Sequence, residues 1–257
     1  MSSTIIKEPP AQQTPETTKK PPHTKSTMTP VPLLDTPLSK SFALLRPILL
    51  LALLVTRFSD LVRDPVSALQ YALPLVAALQ TAYVLICLPV AGFQTYKKVR
   101  PGENRKRAVG GGSFGNAVST AILALLLTAM ITPVIHVLFI LFGAPLLTHV
   151  PHTLLCAAHF SLLTAFPIFY TRGNDGQAWV AVASGSAPMD ETFGALAGAV
   201  LGAWLGAVPI PLDWDREWQK WPVTILVGLY AGSLLGSVVG GKLFHGKVLG
   251  GTREEEE

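Results

Sequence analysis

Long apolar stretches, almost free of charged residues, recur along this chain and constrain its fold more than any other feature. A helix needs about 20 apolar residues to cross the hydrocarbon core of a bilayer. Six stretches approach or exceed that length: 42–58, 66–92, 117–142, 149–170, 192–210 and 223–241. Only 14% of the residues are charged, against about a quarter in soluble domains. We therefore predict an all-α, polytopic membrane protein with about six transmembrane helices.

The two ends of the chain differ in composition from the apolar middle. Residues 1–40 are rich in Thr, Pro and Lys and show no apolar period, so they cannot bury enough surface to offset the entropy lost on ordering. We expect a disordered cytosolic tail over 1–40, a six-helix membrane domain over 41–244 and a second cytosolic tail over 245–257.

Lysine and arginine residues outside the spans predict the orientation of the protein in the membrane. An even number of spans places both termini on one side, and that side carries fifteen Lys and Arg residues, whereas the opposite side carries four. Because cytosolic loops are enriched in these residues, both termini are predicted to be cytosolic. The loop around 208–222 then faces the lumen or the exterior.

Two ladders of glycines, each with a step of four residues, mark the fifth and sixth spans. This spacing lines the glycines along one helix face, where a missing side chain allows the backbone of another helix to come close. The ladders either pack against each other or accept a helix from another protein, and we favour the internal contact. The glycines are Gly194, Gly198, Gly202 and Gly206 in one span and Gly228, Gly232, Gly236 and Gly240 in the other.

Histidines provide few candidates for chemistry within the spans. His149, His152 and His159 share one side of a helix, but Pro151 disturbs the first turn and no carboxylate is near in sequence, so we predict no metal site. His136 is an ionisable residue inside a predicted span, and such residues are often functional. We favour a neutral His136 that is hydrogen-bonded to a neighbouring helix.

The charged and aromatic loop between the last two spans is the most distinctive segment. Pro209 and Pro211 end the fifth span, since each lacks an N–H and restricts the preceding residue. Asp213 is a candidate cap for a short helix. If 213–221 were helical, three tryptophans would form one stripe at the membrane surface: Trp214, Trp218 and Trp221. The loop is too short to build a catalytic site of its own, so no catalytic residue and no cofactor are predicted.

Two stretches resemble the PIG-F family of glycosylphosphatidylinositol (GPI) anchor biosynthesis. They are "HVLFILFGAPL" at 136–146 and "GAWLGAVPIPLDWDREWQKWP" at 202–222; the family has a proline where this chain has Glu217. The resemblance implies a multi-pass protein of the endoplasmic reticulum membrane that is a non-catalytic, stabilising subunit. The implied partners are ethanolamine-phosphate transferases of the PIG-O and PIG-G type, whose catalytic domains are lumenal.

The orientation and the resemblance together suggest a lumenal surface that binds a partner or a lipid. In this hypothesis the charged residues of the loop supply polar contacts, the tryptophans fix its depth, and the "GAPL" turn completes the surface. The candidate residues are Asp213, Trp214, Asp215, Arg216, Trp218, Trp221, His136, Gly143 and Pro145.

Two alternatives stay open. The chain could be a lipid-handling subunit that presents phosphatidylethanolamine or a GPI precursor to the transferase active site. It could also be a small transporter, although the sequence shows no convincing repeated halves, which are typical of transporters.

Overall fold

The computed structural model describes residues 28–91 and 114–248, and this part of the chain consists of helices and connecting loops. The all-α, polytopic fold predicted from the sequence is confirmed. In chain order the described α-helices are α1 Pro37–Thr56, α2 Phe58–Arg63, α3 Pro65–Cys87, α4 Phe114–Leu141, α5 Val150–Leu163, α6 Ala165–Arg172, α7 Gly176–Ala183, α8 Glu191–Ala207 and α9 Val223–Val238. A 3-10 turn, Glu217–Gln219, precedes α9, and a π-helical turn, Val239–Leu243, extends it.

Five of the described helical stretches are long and apolar enough to cross a membrane: α1, α3, α4, the continuous α5–α6 stretch, and α9 with its π-helical turn. The sixth predicted span corresponds to α8, which has 17 residues and is therefore about 26 Å long. That length lies just below the hydrocarbon thickness of about 30 Å. A helix thus stands at each of the six predicted spans, and α8 is the shortest.

Polar caps set where several helices begin. Thr36 accepts a hydrogen bond from the backbone N–H of Ser39 at 3.1 Å ahead of α1, and Asp64 accepts one from the backbone N–H of Ser67 at 3.3 Å ahead of α3. Hydrogen bonding with Ser67 holds the pKa of Asp64 below its ordinary value. Asp190 caps α8 through the backbone N–H groups of its first turn. These caps satisfy donors that the helix itself leaves unpaired.

Part of the predicted amino-terminal tail, 1–40, belongs to the packed structure. Helix α1 begins at Pro37, and residues 28–36 lie against the bundle, with Val31 buried. The N–H of Leu34 donates to the carbonyl of Cys87 at 2.9 Å. Thr36 caps the helix and Pro37 begins it, so α1 starts inside the predicted tail. Val31 is buried and attaches the preceding segment to the core. Residues 1–27 lie outside the described part of the chain.

The carboxyl-terminal segment also packs on the bundle as far as it is described. The backbone N–H of Met189 donates to the carbonyl of Lys247 at 2.8 Å, and Pro188 and Val248 form an isolated antiparallel bridge. Residues 245–248, assigned to a tail from the sequence, are therefore attached to the loop before α8. The remainder of that predicted tail, 249–257, lies outside the described residues.

The continuous α5–α6 stretch is the most buried of the long helices, and the others pack around it. One core cluster joins α5 to α1, α3 and α9, and a second joins α6 to α3 and α4. The carbonyl of Leu69 on α3, the ring of His159 on α5 and the hydroxyl of Tyr230 on α9 form a buried chain, with distances of 3.1 and 2.7 Å from the histidine nitrogens. The core thus places all the spans around one central helix.

The alternating direction of the helices gives the bundle two ends, which we name for their contents. The tryptophan end holds α2, the 142–149 turn and the 208–222 loop. The terminal end holds the 28–36 segment, α7 and residues 244–248. The indole N–H of Trp221 donates to the hydroxyl of Thr153 at 3.1 Å, which ties the starts of α9 and α5 together at the tryptophan end.

Candidate functional site

The two glycine ladders face each other across the α8–α9 hairpin. A Cβ atom built at Gly198 or Gly202 would overlap the backbone of α9, and one built at Gly228 or Gly232 would overlap the backbone of α8. The opposing pairs are Gly194 with Gly236, Gly198 with Gly232 and Gly202 with Gly228, and the ladders end with Gly206 beside Thr224 and Gly240 beside Asp190. The glycines therefore bring the two backbones into direct contact, which any side chain would prevent.

The 208–222 loop is shaped by one glutamine rather than by a helix. The side-chain amide of Gln219 donates to the carbonyls of Pro209 and Leu212, each at 2.8 Å, and its side-chain oxygen accepts from the N–H of Arg216 at 2.8 Å. Asp215 has a positive φ of 46°, which no α-helix contains. The expected helix over 213–221, capped by Asp213, is therefore wrong, since only Glu217–Gln219 form a turn.

The three tryptophans of the loop do not form a single stripe, because the helix that would align them is absent. Trp214 is 53% exposed, and its ring centroid lies 5.8 Å from that of Trp218. Trp221 instead turns inward, where it bonds to Thr153 and packs against the core. Two tryptophans are thus available to the membrane surface, and the third fastens the loop to the bundle.

The charged residues of the loop divide into a paired and an unpaired set. Glu217 and Lys220 form an ion pair. Asp213, Asp215 and Arg216 are exposed, and within residues 28–91 and 114–248 no ion pair or side-chain hydrogen bond engages their charged groups. These three side chains extend from the loop without a role in holding it together.

The "GAPL" turn also lies at the tryptophan end. Gly143 has φ of 105°, a conformation that favours glycine, and its N–H donates to the carbonyl of Ile140 at 3.0 Å, so it ends α4. Half-buried Pro145 follows. Phe142 and Leu147, on either side of the turn, are 88% and 87% exposed. These two apolar side chains are not among the residues predicted from the sequence. Their position on either side of the "GAPL" motif could have indicated them.

His136 lies about 8 Å along α4 from its end at the turn, by the rise of 1.5 Å per residue. Its Nδ1 atom is buried, and no residue of the described chain lies within hydrogen-bond distance of it. In the described part of the chain, the favoured hydrogen bond between His136 and a neighbouring helix is therefore not formed through Nδ1. Three residues further along α4, Phe139 packs edge-on against Phe160 of α5 with ring centroids 5.8 Å apart.

The candidate site residues share one end of the bundle but not one pocket. Trp221 joins the 208–222 loop to Thr153 in the first turn of α5. His149 and His152 lie beside this turn with ring centroids 4.9 Å apart. His159 is bonded to Tyr230 and Leu69 in the core and does not join the other two histidines.

A buried polar network near the terminal end was missed by sequence reasoning. Arg46 is buried; its Nε donates to Gln80 at 2.9 Å, and its guanidinium lies 3.9 Å from the ring centroid of Tyr83. The hydroxyl of Tyr83 donates to Glu191 at 2.8 Å. Each partner stands on another helix, so no local spacing could have indicated the network.

Asp190 connects three segments at the terminal end. One carboxylate oxygen caps α8, and the other accepts from the N–H of Val31 at 3.0 Å and from Arg172 at 2.5 Å. The charged side chains of Arg172 and Asp190 are both buried. This pair therefore links the 28–36 segment, α6 and α8.

Comparison with known proteins places the chain among GPI biosynthesis proteins. A family model described as "GPI biosynthesis protein family Pig-F" matches residues 45–241, which include both resembling stretches and the α8–α9 hairpin. The chain belongs to the PIG-F family.

Several relatives support this membership. "Glycosylphosphatidylinositol anchor biosynthesis protein 11" of Neurospora crassa is 53% identical over 226 residues, which cover 86% of this chain and 82% of that protein. The protein of the same name from Aspergillus fumigatus is 39% identical over 251 residues, covering 85% and 84%. The "GPI ethanolamine phosphate transferase, stabilizing subunit" of Homo sapiens is 32% identical over 171 residues, covering 63% and 76%. No solved structure matches the chain significantly.

Proposed function

We propose that this PIG-F family chain is a non-catalytic subunit that binds and stabilises ethanolamine-phosphate transferases of the PIG-O and PIG-G type in the endoplasmic reticulum membrane. The names of the human and mouse relatives support an accessory role, since both are called stabilizing subunits of a GPI ethanolamine phosphate transferase. The structural observation behind the proposal is the unpaired set of charges on the 208–222 loop. A loop that is held firmly by its own residues, yet leaves Asp213, Asp215 and Arg216 unused, is suited to polar contact with another molecule.

The proposed orientation places the tryptophan end in the lumen and both termini in the cytosol. The bias of fifteen to four in lysine and arginine supports this choice, since basic residues mark cytosolic loops. The tryptophan end is then on the side where the resemblance implies the catalytic domains of the partners.

The proposed docking surface combines the loop with the "GAPL" turn. Phe142 and Leu147 are almost fully exposed, and large apolar side chains at such positions are suited to burial against a partner. Trp214 adds an exposed aromatic ring, a residue type that is enriched in the centre of interfaces. The apolar turn would supply contact area, and the charged loop would supply specificity.

A paired set of loop variants tests the proposal. The double substitution Asp213→Ala with Arg216→Ala removes two unpaired charges, while Glu217→Ala with Lys220→Ala, in the same loop, removes a pair that is already satisfied. Each is expressed with a tagged transferase and purified in mild detergent. The first variant should lose most of the co-purifying transferase at unchanged yield, and the second should retain it. Equal retention by both variants would contradict the docking surface.

A separate measurement addresses the non-catalytic role. Transfer of ethanolamine phosphate should depend on the transferase and should be absent from the purified subunit alone. Turnover by the isolated subunit would overturn the assignment.

A further inference from the structure

The 28–36 segment lies across the terminal end of the bundle and forms neither a helix nor a strand. Pro30 and Pro32 lack the backbone N–H that either structure would use. Pro32, Asp35 and Thr36 are exposed. Because the segment has no regular secondary structure to support it, its position depends on the contacts that it makes with the bundle.

A buried ion pair holds the amino-terminal half of this segment. The N–H of Val31 donates to one oxygen of the Asp190 carboxylate at 3.0 Å, and the same oxygen accepts from Nη2 of Arg172 at 2.5 Å. The sulfur of Met28 accepts from Nη1 of Arg172, although a thioether is only a weak acceptor. The Arg172–Asp190 pair therefore acts as a latch that contacts the segment at two positions.

The second half of the segment covers the end of α3. The N–H of Leu34 donates to the carbonyl of Cys87 at 2.9 Å, and the Cys87 side chain is fully buried. Val31 belongs to the core cluster that contains Tyr83 and Cys87. Tyr83 in turn is part of the polar network of α1, α3 and α8 described above. The segment thus lies over a buried thiol and beside a buried charged network.

The closed position of the segment leaves polar atoms unsatisfied near both of its attachments. Nε of Arg172 is buried and has no acceptor within residues 28–91 and 114–248, because the second oxygen of Asp190 caps α8 instead. Oγ of Ser39 is also buried without a partner in these ranges, and the carbonyl of Ser39 accepts from the thiol of Cys87. Unsatisfied buried donors oppose the closed position, and water that entered on opening would satisfy them.

We propose that residues 28–36 open and close over the terminal end as a unit, held in the closed position by the Arg172–Asp190 latch. Opening admits water to Nε of Arg172, to the hydroxyl of Ser39 and to the polar network of α1, α3 and α8. The helices stay in place, since the cap of α8 uses the oxygen of Asp190 that does not bind the segment. This device does not rest on the docking of a transferase proposed above.

The two cysteines of the chain, Cys87 and Cys156, report the opening without an added label. Both are fully buried, but Cys87 lies under the segment, whereas Cys156 lies in the middle of α5. The full chain in mild detergent is treated with N-ethylmaleimide, and modification of each cysteine is followed by peptide mass spectrometry. Cys87 should react under native conditions while Cys156 stays protected. Equal rates at the two cysteines would overturn the proposal.

A pair of alanine variants tests whether the segment controls this reaction. Val31→Ala removes buried methyl groups from the segment, so it should favour the open position and speed modification of Cys87 by about tenfold. Leu38→Ala shortens an exposed apolar side chain in the first turn of α1, just beyond the segment, and should leave the rate unchanged. Equal acceleration in both variants, or none in Val31→Ala, contradicts the proposed opening.

A second pair of variants tests the latch, and it stays decisive if Val31→Ala does not fold. Met28→Gln offers Arg172 an amide oxygen in place of the weakly accepting sulfur, so it should strengthen the closed position and slow modification of Cys87 by about threefold. Met28→Leu is of similar size and offers no acceptor, so it should not slow the reaction. If Met28→Gln reacts no more slowly than Met28→Leu, the latch and the proposal are refuted.

Discussion

Replacing Gly202 by alanine should weaken the α8–α9 hairpin, although alanine is the better helix former. In an open helix the change stabilises by about 0.5 to 1 kcal/mol. At this position the new Cβ would lie closer than 3.0 Å to the carbonyl of Gly228, and a backbone carbonyl in a helix cannot rotate away. The two helices must move apart.

The magnitude follows from the two opposing effects. Overpacking a well-packed contact costs about 1 to 3 kcal/mol, and moving the helices also loosens the neighbouring glycine pairs. After subtraction of the gain in helix propensity, we expect a net loss of about 1 to 2 kcal/mol. Gly228→Ala should behave similarly, and the double variant should cost less than the sum, because the first substitution already separates the helices.

The assay is reversible unfolding of the purified chain in mixed micelles, followed by circular dichroism. Gly176→Ala is the matched control, since it lies in the first turn of α7 and a Cβ there meets nothing within 4 Å. The control should be as stable as the wild type or more so. If Gly202→Ala and Gly176→Ala unfolded at the same denaturant concentration, the direct backbone contact between the ladders would be refuted.

Three other perturbations have defined outcomes. Asp190→Asn keeps a capping side chain but removes the partner of a buried cation, so it should destabilise the chain by about 3 kcal/mol in the same unfolding assay. Gln219→Ala removes three hydrogen bonds of the loop and should speed amide exchange over 208–222 without lowering global stability, whereas Lys220→Ala should leave exchange unchanged. The pKa of Asp64 is lowered in the folded chain, so the stability that its charged cap contributes is present above the ordinary pKa of 3.8 and is lost as pH falls through the lowered value. A melting series from about pH 6 to 3 should therefore show a loss of stability in the wild type that Asp64→Asn lacks.

The spans and the ladders could be predicted because each depends on a constraint that acts locally along the chain. Lipid requires every backbone group of a span to be bonded within its own helix, so hydropathy alone located the five helices that are long enough to cross a membrane, and also the shorter α8. Glycines at a step of four define a face whatever lies opposite. Which helix lies opposite is a tertiary question, so the sequence left open both a contact between the two ladders and a contact with a helix of another protein.

The loop and the buried network could not be predicted, because both depend on residues that are distant in sequence or placed by other elements. Gln219 shapes the loop only because the chain that follows α8 brings the carbonyls of Pro209 and Leu212 within reach of its side-chain amide. A pattern of three tryptophans at helical spacing is equally compatible with a turn. Arg46 is buried because Gln80 and Tyr83 meet it from α3, and no periodicity in α1 indicates that.

The fold separates the residues that hold the 208–222 loop in place from those whose charged groups are unpaired in the described chain. Gln219 and Trp221 are used inside the chain, and Glu217 and Lys220 satisfy each other. Every stabilising contact of the loop therefore remains when Asp213 and Arg216 are replaced, so their substitution should change binding without changing folding. The charged groups in the loop would then act on a molecule outside the chain, and retention of a lipid or of a transferase identifies which molecule that is.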